Sequence, residues 1–221
     1  MGDFMNNVNT KVFERELLYD NVVVLKYHIE YPCIFDSSGN LSIMRFNDYN
    51  CALALEVKNR AETELYQEAI QTYLYNKENG YPVMVFEVYR NFEVTYDNFP
   101  FLSLYFDEYI FSGGAHGNTI RSSQNWNLSS GRMIPLFRFF PRNPYFLLDI
   151  LKQINEQIAK EPNVYFENAC GFVLDAFNPE SFYLTPQGIA IYFQQYDIAP
   201  YSSGICVFTV VWDEYILSIY Q

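Results

Sequence analysis

The chain has 221 residues, enough for one large domain or two small interdependent ones, and sets 14 Lys and Arg against 26 Asp and Glu for a formal net charge of -12. That balance opposes binding to nucleic acid or to an anionic membrane surface, because both repel a negative field; it serves either to keep the chain in solution or to steer a basic partner. Twenty Tyr, 20 Phe and 2 Trp favour sheets, and no run of 18 apolar residues exists to span a membrane.

Residues 12–31, VFERELLYDNVVVLKYHIEY, alternate β-branched and aromatic residues and predict two strands or one bent strand interrupted by Pro32. The opening residues lack the basic and apolar regions of a signal peptide, so none is read in the chain as given. After the turn signal Asp36-Ser37-Ser38-Gly39-Asn40, residues 41–46 are short and apolar enough for a further strand. From Asn47 to Asn79, Ala54, Val57, Ala61, Leu65, Ala69 and Tyr73 recur at spacings of three or four with acids between them, which predicts one long amphipathic helix. About 30 residues would reach roughly 45 Å, so a kink or an overhang is expected, with Gly80 and Pro82 closing the helix.

Residues 83–97 and 101–111 read as strands joined through Asn98-Phe99-Pro100. Ser112 to Asn118, with Gly113, Gly114 and Gly117 around His116, is too rich in Gly for regular structure and predicts a loop. Residues 119–128 and 131–134 flank a turn and suit a hairpin. The stripe Leu147, Leu148, Leu151, Ile154 and Ile158 predicts a helix over 144–160, and 164–177 suits a second, shorter one. Phe182-Tyr183-Leu184 and Ile189 to Phe193 flank Pro186-Gln187-Gly188 as a hairpin; Cys206 to Trp212 is a last strand, and 213–220 a closing helical turn.

Chemistry-bearing patterns are sparse. Cys33, Cys51, Cys170 and Cys206 form no C-x-x-C pair and are read as free thiols, with Cys170 and Cys206 in apolar surroundings that suit burial. The nucleophile elbow, phosphate-cradling Gly loops and H-E-x-x-H are missing. Asp107-Glu108 and Asp213-Glu214 are adjacent, so on a strand each pair would point to opposite faces rather than flank a glycosidic bond. His116 has two readings: a titrating group in a loop that a ligand can approach closely, or a turn residue bonding a nearby carbonyl. Tyr196 and Tyr201 form either a binding rim or a packed corner. His28, within an apolar strand, is a structural histidine.

The string Ile110-Phe111-Ser112-Gly113-Gly114-Ala115-His116-Gly117, then Asn125-Trp126-Asn127-Leu128 and Ser130-Gly131-Arg132, resembles a bacterial domain-of-unknown-function family. It is the type seen in the extracellular half of the RsiV anti-sigma factor and beside the catalytic domain of the PdaC deacetylase. Residues 181–201, SFYLTPQGIAIYFQQYDIAPY, look like the C-terminal stretch of the same family, so the two motifs span about residues 110–212. The first hundred residues look like the partner domain that commonly precedes it.

The resemblance implies an α+β fold with antiparallel sheets, one long helix in the N-terminal half, and one or two helices packed on a sheet in the C-terminal half. It divides the chain into an N-terminal lobe at 1–98, resembling the deacetylase-associated domain, and a domain at 99–221 carrying SGGAHG and QQYDIAPY. It also implies an extracytoplasmic or cell-surface setting and a non-catalytic binding or sensing role, with a cell-wall fragment or a basic protein such as lysozyme as partner. The ligand-binding candidates are then Gly113, Gly114, His116, Gly117, Tyr196 and Tyr201. With only His28 and His116 the chain cannot build the multi-histidine zinc site of the deacetylases, so no metal, cofactor or catalytic residue is expected. The alternative is an accessory domain or weak hydrolase acting on cell-wall polysaccharide through carboxylates and His116.

Overall fold

A computed structural model describes residues 8–141 and 143–211. The chain opens with an antiparallel hairpin, β1 (Val8–Tyr19) and β2 (Val22–Ile34), turned at Asp20 and Asn21. Both turn residues have positive φ, 51° and 60°, the mirror-type turn whose twist matches that of the strands it joins. Pro32 does not interrupt β2. The Ile34 backbone N–H and C=O both face the Asn47 side chain, away from β1, and Pro32 shares that parity. Pairing of β2 with β3 ends at Ile29, so the proline removes no ladder bond there.

Residues 41–46, expected as a strand, are the first turns of a helix, α1 (Leu41–Arg60). The side chain of Asn40 caps it by accepting from Ser42 N–H at 2.9 Å, and Ile43, Phe46 and Asn50 are buried at helical spacing. A wider π turn, Ala61–Leu65, leads into α2 (Tyr66–Asn79), which ends on Gly80 in the left-handed conformation, φ 71°. The π turn follows from the sequence spacing. Each step of four residues overshoots a regular helical turn by about 40°, and Val57, Ala61, Leu65, Ala69 and Tyr73 make four such steps; a wider turn takes up the drift.

The helix is the crossover between β2 and β3 (Phe86–Asn98), which pair in parallel from Leu25/Phe86 to Ile29/Arg90. Two residues join β3 to β4 (Phe101–Phe111); the Gly-rich loop then leads to β5 (Asn118–Asn127) and a short β6 (Arg132–Met133). These strands make a six-stranded sheet in the order β1-β2-β3-β4-β5-β6. Past a single 3-10 turn, Leu136–Phe139, come α3 (Phe146–Ile158) and α4 (Ala169–Ala176), then a three-stranded antiparallel sheet of β7 (Phe182–Thr185), β8 (Gly188–Phe193) and β9 (Cys206–Val211). The α+β class read from the sequence holds, with one parallel pair within it. The closing helical turn expected at 213–220 lies outside the described residues.

Two compact units emerge, one comprising 8–92 and 106–120, the other 93–105 and 121–211, so that β3, β4 and β5 contribute residues to both. In the N-terminal unit Val57, Ala61, Ala69, Ile70 and Tyr73 of the helix pack on Leu25, Tyr27, Ile29, Phe86 and Val88. In the C-terminal unit Ile150, Ile154, Ile158, Ala169 and Val173 cover Phe182, Leu184, Ile189, Ile191, Phe193 and Phe208. All four cysteines are free thiols. Cys206 is buried as expected, but Cys170 is exposed, because α4 turns Ala169 and Val173 inward at i, i+4 and leaves Cys170 outside.

Candidate functional site

The stretch Gln194 to Tyr201 in the C-terminal unit divides into residues that hold a corner and residues that it displays. The Gln194 amide takes both backbone groups of Arg121, accepting from its N–H at 2.9 Å and donating to its C=O at 2.7 Å. Asp197 accepts from Gln194 N–H at 2.7 Å; Ile198 and Ala199 are buried, and Ile198 C=O receives Phe166 N–H at 3.0 Å. Burial pushes the Asp197 carboxyl above its ordinary range, although the Gln194 bond opposes the shift. Against this frame Tyr196 stands with φ 69°, a left-handed conformation costly for a bulky side chain, and is 55% exposed. Its ring meets that of Tyr201 at 5.8 Å and 34°. Such strain, held by surrounding bonds and spent on presenting an aromatic ring, is common at ligand sites.

The Gly-rich loop belongs to the N-terminal unit. Gly113 and Gly114 have φ 104° and 88°, which L side chains rarely adopt, and a Cβ on Gly117 would run into the Tyr109 ring and come within 2.7 Å of Ile110 C=O. His116 is exposed, with Nδ1 2.9 Å from the Gly117 carbonyl oxygen. The glycines thus shape the loop, and the imidazole is held by its neighbour's backbone. Gly113, Gly114, His116 and Gly117 come together here, while Tyr196 and Tyr201 come together in the other unit. His28 lies between two carboxylates, Nδ1 3.1 Å from Glu14 across the strands and Nε2 3.3 Å from Glu30. A cleft of about 780 Å³ at the end of the β1/β2 hairpin is lined by Lys11, Ile34, Phe35, Asp36 and Asn47.

Other motif residues are accounted for by hydrogen bonds. Buried Asn125 accepts from Ser103 Oγ at 2.7 Å and donates to Phe182 C=O at 2.9 Å, and Ser103 Oγ accepts from Leu184 N–H at 2.8 Å, so side chains of β4 and β5 satisfy the backbone edge of β7. Asn127 accepts from Ser129 and Ser130 N–H in the turn that follows, and Trp126 donates to Gln124 at 2.7 Å. Glu108 of the Asp107-Glu108 pair is engaged by Arg60 and lies near Arg90. Sequence reasoning passed over Arg90, though its place in the alternation Phe86, Val88, Arg90 is a legible sign of an inward-facing cation. No group of three or more His, Cys, Asp or Glu able to hold a metal occurs among the described residues. Asp213 and Glu214 lie outside them.

Fold and sites define an α+β protein of two separately cored units. Residues 20–119 match the family model described as deacetylase PdaC, and residues 139–213 match that of a protein of unknown function, DUF3298. The chain thus joins a PdaC-type region to a DUF3298 region; the Gly-rich loop, expected with the C-terminal family motifs, falls instead within the PdaC match. A DUF3298 family structure from Bacteroides fragilis NCTC 9343 is similar over 94% of this chain and 91% of its own, with TM-score 0.66 and 18% identity. Another, from Pseudomonas aeruginosa PAO1, is similar over 92% and 90%, with TM-score 0.56 and 14% identity. At these identities the likeness establishes the fold. No curated protein matches the chain.

Proposed function

We propose that the protein is a non-catalytic binding module of the cell envelope that takes a cell-wall saccharide fragment on the Tyr196–Tyr201 pair. The strained, exposed Tyr196 carries this reading: a braced corner that spends backbone strain to display an aromatic ring is better suited to stacking on a ligand than to packing. The PdaC match supports a wall polysaccharide as the ligand class and an extracytoplasmic setting. The net charge of -12 favours a basic wall-active protein such as lysozyme as a second partner.

Calorimetric titration with soluble peptidoglycan fragments, and separately with lysozyme, at low and at physiological salt tests the reading. Saturable binding of fragments at physiological salt, weakened at least tenfold by Tyr196→Ala and untouched by His116→Ala, is expected. Heat with lysozyme only at low salt would mean charge attraction without recognition. No heat with fragments at either salt overturns the saccharide reading. Product formation that His116→Ala abolishes would replace it with the hydrolase alternative.

A further inference from the structure

Cys33 at the end of β2 and Cys51 within α1 are both half-buried free thiols. Two contacts fix how strand and helix lie side by side. The Asn47 amide accepts from Ile34 N–H at 2.8 Å and donates to Ile34 C=O at 2.9 Å, and Glu62 accepts from the Tyr27 hydroxyl at 2.7 Å. From Tyr27 to Ile34 an extended strand covers about 23 Å, and from Asn47 to Glu62 a helix rises about 22 Å. The helix therefore runs back along β2 in step with it. From Asn47 to Cys51 it rises about 6 Å, which brings Cys51 to the height between Tyr31 and Cys33.

Both thiols belong to the faces that meet. By alternation Cys33 shares the β2 face of Tyr27, Ile29 and Tyr31, which pack with the helix in one core. Cys51 follows Asn47 by four residues and precedes the fully buried Ala54 by three, on the helix face turned to the strand. Their common neighbour is the Tyr31 hydroxyl, hydrogen-bonded to Cys51 and close enough to Cys33 for an electrostatic effect; burial first, then these two groups, raise its pKa, so the phenol keeps its proton and donates to the Cys51 sulfur. The gap between the elements is spanned by one short side chain, Asn47, which suits the Cα separation of about 5.5–6 Å that a disulfide needs. Access comes from the cleft of about 780 Å³ at the end of the hairpin, which Cys33 lines. The other two thiols differ: Cys206 is buried, and burial with Asp197 pushes its thiol up, while Cys170 is exposed on α4 in the C-terminal unit.

We infer that Cys33 and Cys51 are a redox-modification site, at which a low-molecular-weight disulfide entering the cleft converts the pair to an internal disulfide that fastens α1 to β2. The Cys33 thiolate attacks the reagent, forming a mixed disulfide and releasing one thiol; the Cys51 sulfur then attacks Cys33 Sγ and expels the second. The two cysteines lose two electrons and two protons, and the reagent disulfide takes them up as two thiols. The bridge closes the chain between residues 33 and 51 and holds the start of α1 on the sheet in an oxidising compartment. It does not rest on the Tyr196–Tyr201 reading.

Incubation of the full chain with oxidised glutathione tests this, read by intact mass, peptide mapping and thermal unfolding, with Cys170→Ser used to remove the exposed thiol outside the site. A linked Cys33–Cys51 peptide is expected, with the loss of two free thiols and two hydrogens and a Tm higher by about 6 °C, all reversed by dithiothreitol. Cys51→Ser should trap the first step as a lasting glutathione adduct on Cys33. Should that variant fail to fold, the peptide map and Tm of the chain with both thiols present decide the matter. A glutathione adduct on Cys33 that persists beside a free Cys51, the absence of any modification at either residue, or a linked chain whose Tm is not raised overturns the inference. So does a folded Cys51→Ser chain that takes up no glutathione at Cys33.

Discussion

The two units settle their buried polar groups by different means. In the C-terminal unit neutral side chains do it: Ser103 and Asn125 complete the edge of β7, Gln157 and Gln153 of α3 meet the Thr209 and Val211 backbone on the outer edge of β9, and Gln194 clasps Arg121. The N-terminal unit adds ions to neutral contacts such as Asn47 on the Ile34 backbone: Glu62 accepts from Tyr27 at 2.7 Å and pairs with Arg15 and Lys58, and Arg60 and Arg90 share Glu108. Neutral amides are sensitive to deletion and indifferent to pH and salt, whereas charged pairs respond to both.

The largest expected effect lies in the neutral network. Asn125→Ala removes the acceptor of buried Ser103 Oγ–H and one of the two donors to Phe182 C=O, which keeps Ser123 Oγ at 2.6 Å; with the cavity it opens, it should cost about 3 kcal/mol, seen as a lower midpoint in urea with little salt dependence. A loss that grows with salt would blur the contrast. Gly117→Ala probes backbone crowding in the N-terminal unit; displacing the Tyr109 ring and crowding Ile110 C=O should cost about 2 kcal/mol by the same measurement. Tyr196→Gly should do the reverse in the C-terminal unit, raising stability by about 1 kcal/mol through release of the left-handed strain while abolishing saccharide binding. An unchanged or lowered Tm would mean that the ring packs more than it is displayed.

Acidification sharpens the comparison through opposite signs. Hydrogen bonding from Tyr27, with help from Lys58 and Arg15, holds the Glu62 carboxyl below its ordinary 4.5, so its contribution is present above that value and lost as pH falls through the lower folded pKa. Asp197 is held above its ordinary 3.8 by burial, so the folded state binds the proton more readily and stability falls as pH rises through the window just above 3.8. Unfolding scanned between about pH 3 and 5 should therefore show a weaker acid loss in Glu62→Gln and a steeper one in Asp197→Asn. Changes of the same sign in both variants would contradict the assignment.

Much of the architecture was legible from period and punctuation. The helix expected over 144–160, the Gly80 stop and the Pro186 to Gly188 turn each depend on neighbours within a few residues, and each formed where expected, although the helix buries Ile150 with Ile154 and Ile158 and leaves the expected Leu147 and Leu148 exposed. Residues 41–46 misled because a short apolar run does not reveal its period; the deciding features were the Asn40 cap and the burial of Phe46 and Asn50. Pro32 misled because its cost depends on whether a strand lies beside it. Of the candidate site, the motif residues were all visible, but which of them brace and which display was not: Gln194 and Asp197 brace a corner through bonds to Arg121 and to each other.

By itself the sequence determined the acidic charge, the α+β class, the long helix and the motifs that the family models match, because all of these reside in composition or in local spacing. Tertiary structure alone decided the parallel pairing of β2 with β3, the separate cores of the two units and the positive φ of Tyr196. It also decided the enclosure of Arg90 beside a carboxylate already engaged by Arg60. Those features depend on which distant residues meet, and burial changes the energy of a charge or a strained backbone only once the neighbours are in place.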